Sequence, residues 1–211
     1  MPDLLGRLMV ITDYHLQQKW QHSALAKMAL QGGADIIQLR EKHLSNEEII
    51  AEVDNILVYK KEYQFALLIN DHLKIAIQTK ADGVHVGKED VSYQECRNIY
   101  QKENNQMPIL GVTIHSLEEL QMLSPPYPSY IGVGPVFGTT SKVNSLPALG
   151  LEKLAEICQQ SPVPVFAIGN LRPDRVADVI DAGAWGIAVL GAVCLADNPE
   201  LATRQFAEAL F

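Results

Sequence analysis

Short apolar runs recur along the chain and alternate with segments of helical spacing. Eight runs are rich in β-branched residues, and several are apolar at nearly every position, which is typical of parallel strands covered on both faces. The pattern predicts strands at residues 8–13, 35–40, 65–70, 83–87, 109–114, 130–134, 164–168 and 185–190.

Helices are predicted between these strands. Residues 23–31 have helical spacing and end in Gly32-Gly33, a glycine pair typical of a helix C-terminus. A capping box, in which Ser is followed three residues later by Glu, starts a helix after three of the strands: Ser45 with Glu48, Ser92 with Glu95 and Ser116 with Glu119. Further helices are predicted over 149–160, 172–182 and 199–211.

Repeated β-α alternation predicts an α/β fold, either a doubly wound open sheet or a closed barrel. A Rossmann sheet would need a glycine-rich turn after the first strand, and Ile11-Thr-Asp-Tyr-His15 contains no glycine. Eight strands, each followed by a helix, match a (β/α)₈ TIM barrel. The chain contains no linker or low-complexity segment that would divide it, so we expect a single domain over residues 1–211.

Composition and charge limit the kinds of molecule that the protein is expected to bind and the compartment in which it is expected. Hydrophobic residues make up 47% of the chain and the net charge is −8, which argues against nucleic-acid binding. No apolar run reaches the roughly 18 residues of a membrane span. The three cysteines are scattered and suggest reduced thiols, so a cytoplasmic protein is expected. Outward apolar residues on the helices are compatible with a homo-oligomer.

Candidate binding residues follow most of the predicted strands, at the barrel end where active sites form. Gln38 and Arg40 flank Leu39, so both should point away from the face that Leu39 occupies, and an inward Arg needs an anion. The loop at residues 138–142 offers hydroxyls and an ammonium to a phosphate. Asn70, Asp71 and Asp90 offer the oxygen ligands that Mg²⁺ prefers. The strand-end residues also include Asp13, Lys42, Lys88, Thr113, Thr139, Thr140, Ser141 and Lys142.

Simpler interpretations exist for some of these residues. Asp71 is also placed to cap a helix beginning at His72. His85, between two valines, is expected to be a packed barrel residue, whereas His115 at a strand end fits a core or a catalytic role equally well. The remaining histidines considered are expected at the surface or in loops, namely His15, His22 and His43.

Taken together, the strand-end motifs resemble those of the thiamine-phosphate synthase family, whose superfamily also contains thiazole tautomerases. The matching motifs keep the family's order and lie at residues 11–13, 33–42, 69–71, 81–90, 111–115, 132–142, 164–169 and 183–190. The resemblance implies condensation of 4-amino-2-methyl-5-hydroxymethylpyrimidine pyrophosphate with thiazole phosphate to give thiamine phosphate and pyrophosphate. It also implies that the C–O bond breaks first and that the thiazole nitrogen captures the resulting carbocation.

The resemblance also assigns roles by position. Gln38, Arg40 and Lys42 would hold the pyrimidine pyrophosphate with help from Asn70, and Asp71 and Asp90 would bind Mg²⁺. Lys142 would reach the pyrophosphate, with Arg40 and Lys42 as the other catalytic residues. The residues near the thiazole phosphate would be Thr139, Ser141, Gly169 and Gly191, and Thr113 stands where the family commonly has Ser.

The chain departs from the family's usual pattern at three positions. Asn170 replaces the second Gly after the seventh strand, Gly191 replaces a Ser at the end of the eighth, and Gly138 stands where Pro is usual. The first two departures concern the thiazole-phosphate end. They keep two alternative functions open: a thiazole tautomerase-like enzyme with His115 as proton shuttle, and a non-catalytic paralogue that binds a phosphate of the thiamine pathway.

Overall fold

The predicted barrel is confirmed by a computed structural model, which describes residues 5–87, 91–104, 108–138 and 147–210. All neighbouring strands are parallel, and the sheet closes where β1 pairs with β8. The strands are β1 (Leu8–Thr12), β2 (Ile36–Leu39), β3 (Ala66–Asn70), β4 (Gly83–Val86), β5 (Ile109–Ile114), β6 (Tyr130–Val133), β7 (Val165–Ile168) and β8 (Gly186–Val189).

Helices follow the strands and cover the outside of the barrel. Their bounds are α1 (Tyr14–Gln17), α2 (His22–Gln31), α3 (Asn46–Leu57), α4 (Leu73–Thr79), α5 (Tyr93–Asn104), α6 (Leu117–Gln121), α7 (Leu151–Gln160), α8 (Val176–Asp181), α9 (Gly191–Cys194) and α10 (Pro199–Ala209). Within the described ranges, no helix combines the length and apolar character that crossing a membrane requires.

Local sequence signals account for several helix ends. Ser45 and Glu48 form the complete capping box at α3, and the Ser92 and Ser116 hydroxyls each accept a hydrogen bond from the backbone three residues later. One predicted helix, 172–182, instead starts as a 3-10 turn at Pro173–Arg175 before α8 begins.

Alternating strand residues form two separate apolar layers. Outward residues such as Leu39 and Ile69 pack with the helices, while Met9, Leu68 and Phe166 belong to the smaller cluster inside the barrel. Both faces of most strands are buried. This explains why the strand sequences are apolar at successive positions rather than at every second one.

The amino end of the barrel, which we call the floor, is stabilised by a repeated contact. Asp35, Asp82 and Ser129 each precede an even-numbered strand, and each side chain accepts a hydrogen bond from a leucine N–H in the preceding odd-numbered strand, Leu8, Leu67 or Leu110. The donor–acceptor distances are 2.9, 2.7 and 3.0 Å. At the floor, polar side chains therefore accept hydrogen bonds from backbone N–H groups of the strands. The opposite, carboxyl end is called the mouth.

Candidate active site

Arg40 lies at the mouth, and its anionic partner is a carboxylate of the chain itself. The Arg40 guanidinium contacts Asp13, which directly follows β1, and both side chains are largely buried. Asp13 also caps α1, since its Oδ1 accepts a hydrogen bond from the N–H of Leu16 at 3.1 Å. The anion that an inward Arg needs is thus present in the protein, and the guanidinium is fixed in place before any ligand binds.

Lys42 and Asp71 form a second ion pair at the mouth. The Lys42 ammonium lies 2.7 Å from Asp71 Oδ2, with 47% of the Lys42 side chain and 17% of the Asp71 side chain exposed. Asp71 has a left-handed backbone (φ 65°), which is uncommon outside glycine and tends to occur at functional sites. The simpler interpretation of Asp71 as a cap is wrong, because the N-cap of α4 is His72, with no side-chain capping bond.

A chain of hydrogen bonds crosses the barrel interior below these pairs. Tyr130 Oη lies 2.8 Å from His85 Nδ1, and His85 Nε2 lies 2.8 Å from Thr113 Oγ1. Burial raises the pKa of Tyr130, although a hydrogen bond with Gln38 acts in the opposite direction, so the phenol stays protonated. His85 is a buried barrel residue, as predicted, and it fixes the hydroxyl of Thr113.

A glycine makes this interior network possible. Gly111 pairs with His85 on one side and with Tyr130 on the other. A Cβ at position 111 would lie 2.2 Å from Tyr130 Cζ and 2.5 Å from His85 Nδ1. A larger residue at position 111 would therefore displace both rings.

Gln38 is buried at the same depth, with its Nε2 3.3 Å from Met9 Sδ, and Asn70 is buried at the end of β3.

The sequence interpretation of His22 is wrong, because this residue is fully buried rather than at the surface. Its Nε2 lies 3.0 Å from Glu41 Oε2, and its Nδ1 lies 2.8 Å from Thr12 Oγ1. Burial alone would raise the pKa of Glu41, but hydrogen bonds from His22 and from the N–H groups of His43 and Lys42 lower it overall. A lone His at the start of a helix carries no signal of such a partner, which lies nineteen positions away in sequence.

The mouth ends of β7 and β8 contain two of the departures from the family pattern. Gly169 has φ 111°, and a Cβ there would lie 2.5 Å from Pro135 Cα. Asn170 adopts the left-handed conformation (φ 47°), and its exposed side chain turns toward Phe137, with Nδ2 3.4 Å from the carbonyl oxygen. Asn170 therefore preserves the backbone conformation that glycine would provide. Gly191, the other departure, is the first residue of α9, a four-residue helix that was not predicted.

His115 is half-buried just beyond β5. Its Nδ1 donates to the carbonyl oxygen of Gly134 at 2.6 Å, and its N–H donates to Glu119 at 2.8 Å. The contact with a carbonyl fixes the proton on Nδ1 and makes Nε2 the basic ring nitrogen.

Several predicted site residues lie outside the part of the chain that the structure describes. These are Lys88, Asp90, Thr139, Thr140, Ser141 and Lys142. Among the described residues, the structure brings Arg40, Lys42, Asn70 and Asp71 to one side of the mouth and Gly169 and Gly191 to the β7–β8 side. Within the described ranges, no three His, Cys, Asp or Glu side chains are grouped so that they could hold a metal ion.

The arrangement suits an anionic ligand with a polar ring. Two basic side chains at the mouth are each held by a carboxylate, so their charges are oriented in advance. Deeper in the barrel, amide, phenol, imidazole and hydroxyl groups meet within hydrogen-bonding distance of one another. A phosphorylated group could bind at the mouth while a ring is held beneath it.

Comparison with known proteins identifies the family of the chain. The family described as thiamine monophosphate synthase matches residues 8–193. The thiamine-phosphate synthase of Salinibacter ruber is 43% identical over 98% of this chain and 89% of its own length, and that of Chloroflexus aurantiacus is 37% identical over 94% and 90%. A solved thiamine phosphate pyrophosphorylase from Pyrococcus furiosus superposes with a TM-score of 0.83 at 31% identity, covering 97% of this chain and 95% of that one. The chain therefore belongs to the thiamine monophosphate synthase family of enzymes.

Proposed function

We propose that this enzyme joins 4-amino-2-methyl-5-hydroxymethylpyrimidine pyrophosphate to thiazole phosphate and releases pyrophosphate and thiamine phosphate. The observation that carries the proposal is the Lys42–Asp71 pair, in which an ammonium and a carboxylate that caps no helix meet at the mouth. A pyrophosphate needs both cationic contacts and a metal ligand nearby, and the pair offers one of each.

The depth of each residue in the barrel suggests how the first substrate lies. Gln38 is buried beside Tyr130, whereas Arg40 lies two residues further along the chain toward the mouth and Lys42 beyond it. The pyrimidine would therefore contact Gln38, and its pyrophosphate would extend outward to Arg40 and Lys42. Asn70, at the end of β3, would contact the substrate between the two ends.

Breaking the C–O bond places negative charge on the departing pyrophosphate. Arg40 and Lys42 would stabilise this charge without reorganising, because Asp13 and Asp71 already hold them. Lys142 would add a third cation. Thr113, whose hydroxyl is held by His85, would bind the substrate.

The acidic residues fit a hard metal ion. Carboxylate oxygens are the ligands that Mg²⁺ prefers, and the Asp71 carboxylate is not used for helix capping. Asp71 and Asp90 would hold the ion, which when bound would neutralise charge on the pyrophosphate oxygens.

The thiazole phosphate would bind on the β7–β8 side of the mouth, with Thr139 and Ser141 nearby. Backbone N–H groups near Gly169 and Gly191 would donate to it. Asn170 directs its side chain to the carbonyl of Phe137 and keeps the left-handed backbone that glycine would provide there.

The test is pyrophosphate release by the purified protein, with each substrate alone, with both, and with or without Mg²⁺. The proposal predicts release that needs both substrates and Mg²⁺. A folded protein that releases no pyrophosphate under any of these conditions would contradict it. The tautomerase alternative would then be tested next at His115. The hydrogen bond from its Nδ1 to the carbonyl oxygen of Gly134 leaves Nε2 as the nitrogen that can accept a proton.

A further inference from the structure

Glu41 lies between the two cations of the mouth, yet its own side chain points into the protein. It is almost fully buried, and its Oε1 accepts hydrogen bonds from the next three backbone N–H groups, those of Lys42, His43 and Leu44. The distances are 2.7, 2.6 and 3.3 Å. One carboxylate oxygen thus holds the backbone of the segment that carries Lys42.

The other oxygen of Glu41 is anchored to the barrel through two further residues. His22 Nε2 lies 3.0 Å from Glu41 Oε2, and His22 Nδ1 lies 2.8 Å from the hydroxyl of Thr12, the last residue of β1. All three side chains are buried. Because buried polar groups are costly unless they are paired, this network holds Glu41 in one orientation.

A third contact links Glu41 to the segment that carries Asp71. The carbonyl oxygen of Glu41 lies 3.1 Å from Nε2 of His72, which follows Asp71 directly. Asp71 in turn accepts from the Lys42 ammonium at 2.7 Å. The backbone on both sides of the Lys42–Asp71 pair is therefore fixed through the same residue.

We propose that Glu41 and His22 are positioning residues, which hold the Lys42 backbone so that its ammonium meets the pyrophosphate end of the substrate beside Asp71. The inference rests on the proposed function for the identity of that substrate. Neither residue needs to touch the substrate. Their effect is on where Lys42 lies, and a displacement of about 1 Å can lower a rate by about 10²-fold.

Two replacements of Glu41 distinguish its role as a hydrogen-bond acceptor, which positions Lys42, from its negative charge. Glu41→Ala leaves three N–H groups without their acceptor, and kcat should fall about 10- to 100-fold while KM changes less than about threefold, because charge on the pyrophosphate is greatest in the transition state. Glu41→Gln keeps an acceptor oxygen, and its amide can donate to Nε2 of the other His22 tautomer. This conservative variant should restore kcat to within about fivefold of wild type.

The matched control is Asp35→Ala. Asp35 Oδ2 also accepts from two backbone N–H groups, those of Arg7 and Leu8, at 2.7 and 2.9 Å, but it lies at the floor. The control should lose stability and keep its kcat. Steady-state pyrophosphate release for wild type and the three variants, together with urea unfolding, gives the comparison. A folded Glu41→Ala protein with kcat within threefold of wild type, or an equal loss in Asp35→Ala, would overturn the proposal.

A binding measurement separates this inference from the proposed function. Calorimetry with inorganic pyrophosphate and Mg²⁺ needs no turnover, and Glu41→Ala should bind about 10-fold more weakly than wild type while Asp35→Ala binds equally well. If wild type binds but does not turn over, the proposed function fails and this affinity ratio still decides the inference. Equal affinities for wild type and Glu41→Ala, or no binding by wild type, would overturn it.

A second variant covers the case in which Glu41→Ala does not fold. His22→Asn can keep the contact with Thr12 but cannot reach Glu41. It should lower kcat about 3- to 10-fold with little change in KM. A folded His22→Asn protein with wild-type kcat and wild-type affinity for pyrophosphate would contradict a positioning role.

Discussion

Two lysine–aspartate ion pairs with nearly equal nitrogen–oxygen distances lie at opposite ends of the barrel. At the mouth, Lys42 Nζ is 2.7 Å from Asp71 Oδ2, and at the floor, Lys60 Nζ is 2.6 Å from Asp82 Oδ2. The floor pair is also bonded to the backbone, since Asp82 accepts from the N–H of Leu67 and Lys60 donates to the carbonyl oxygen of Phe65. The mouth pair joins two loops through side chains alone, and the backbone of Asp71 is left-handed.

The difference shows how one kind of contact serves two purposes. At the floor, the carboxylate satisfies a strand N–H that would otherwise be buried without a partner, so removing it should affect stability. At the mouth, the pair is half-exposed and contributes little to stability, and in the proposed function it keeps a cation and a carboxylate oriented for the substrate. Under this proposal, location in the barrel rather than residue type separates the two roles.

The largest effect is expected when the two lysines are compared directly. Lys42→Met should lower kcat/KM for pyrophosphate release by about 10²-fold, because a charge that stabilises the leaving group is lost. Its free energy of unfolding should change by less than about 0.5 kcal/mol, as for other exposed ion pairs. Lys60→Met is the matched control and should keep kcat/KM within about twofold. Similar losses of activity in both variants would break the distinction between mouth and floor.

A smaller effect, on stability, is expected at the floor. Asp82→Ala leaves the N–H of Leu67 without its acceptor and should lower the free energy of unfolding by about 1–3 kcal/mol. The folded variant should keep its turnover, because Asp82 lies at the end of the barrel opposite the mouth. Urea denaturation and steady-state kinetics on one preparation check both parts. Unchanged stability would show that the backbone contact is not what distinguishes the floor pair.

The smallest effect is expected in the pH dependence of stability. The folded state lowers the pKa of Glu41 below its ordinary value of 4.5, so the ionised carboxylate contributes stability that is fully present above that value. This contribution is lost as pH falls through the lowered pKa. The stability difference between wild type and Glu41→Gln should therefore shrink on acidification below about pH 4.5. A difference that grows in this range would contradict the assignment.

The strands could be predicted from sequence because their signal is local. Continuous apolar runs and serine capping boxes appear within a few residues, and all eight strands were placed within two residues of their observed ends. Gln38 and Leu39 face opposite sides, as the alternation along β2 indicates. Among the described residues, the barrel then brings Arg40, Lys42, Asn70 and Asp71 to one side of the mouth without further information.

The pairings within the site could not be predicted, because they depend on tertiary distance. Asp13 meets Arg40 across 27 positions, and His22 meets Glu41 across 19. The short helices α1 and α9, with four residues each, are too brief to show a helical period. Asp71 is a poor cap for α4 because its own backbone is left-handed, and that conformation leaves no trace in the sequence.

The most direct test of the distinction between the two ends is an Mg²⁺ titration of pyrophosphate release by wild type and Asp71→Asn. Asn tolerates the left-handed backbone and has nearly the same size, so the fold should be retained. The account predicts saturable Mg²⁺ dependence in wild type and a rate about 10²-fold lower in Asp71→Asn, with unchanged urea unfolding. A variant with the wild-type rate and the wild-type Mg²⁺ dependence would contradict the account.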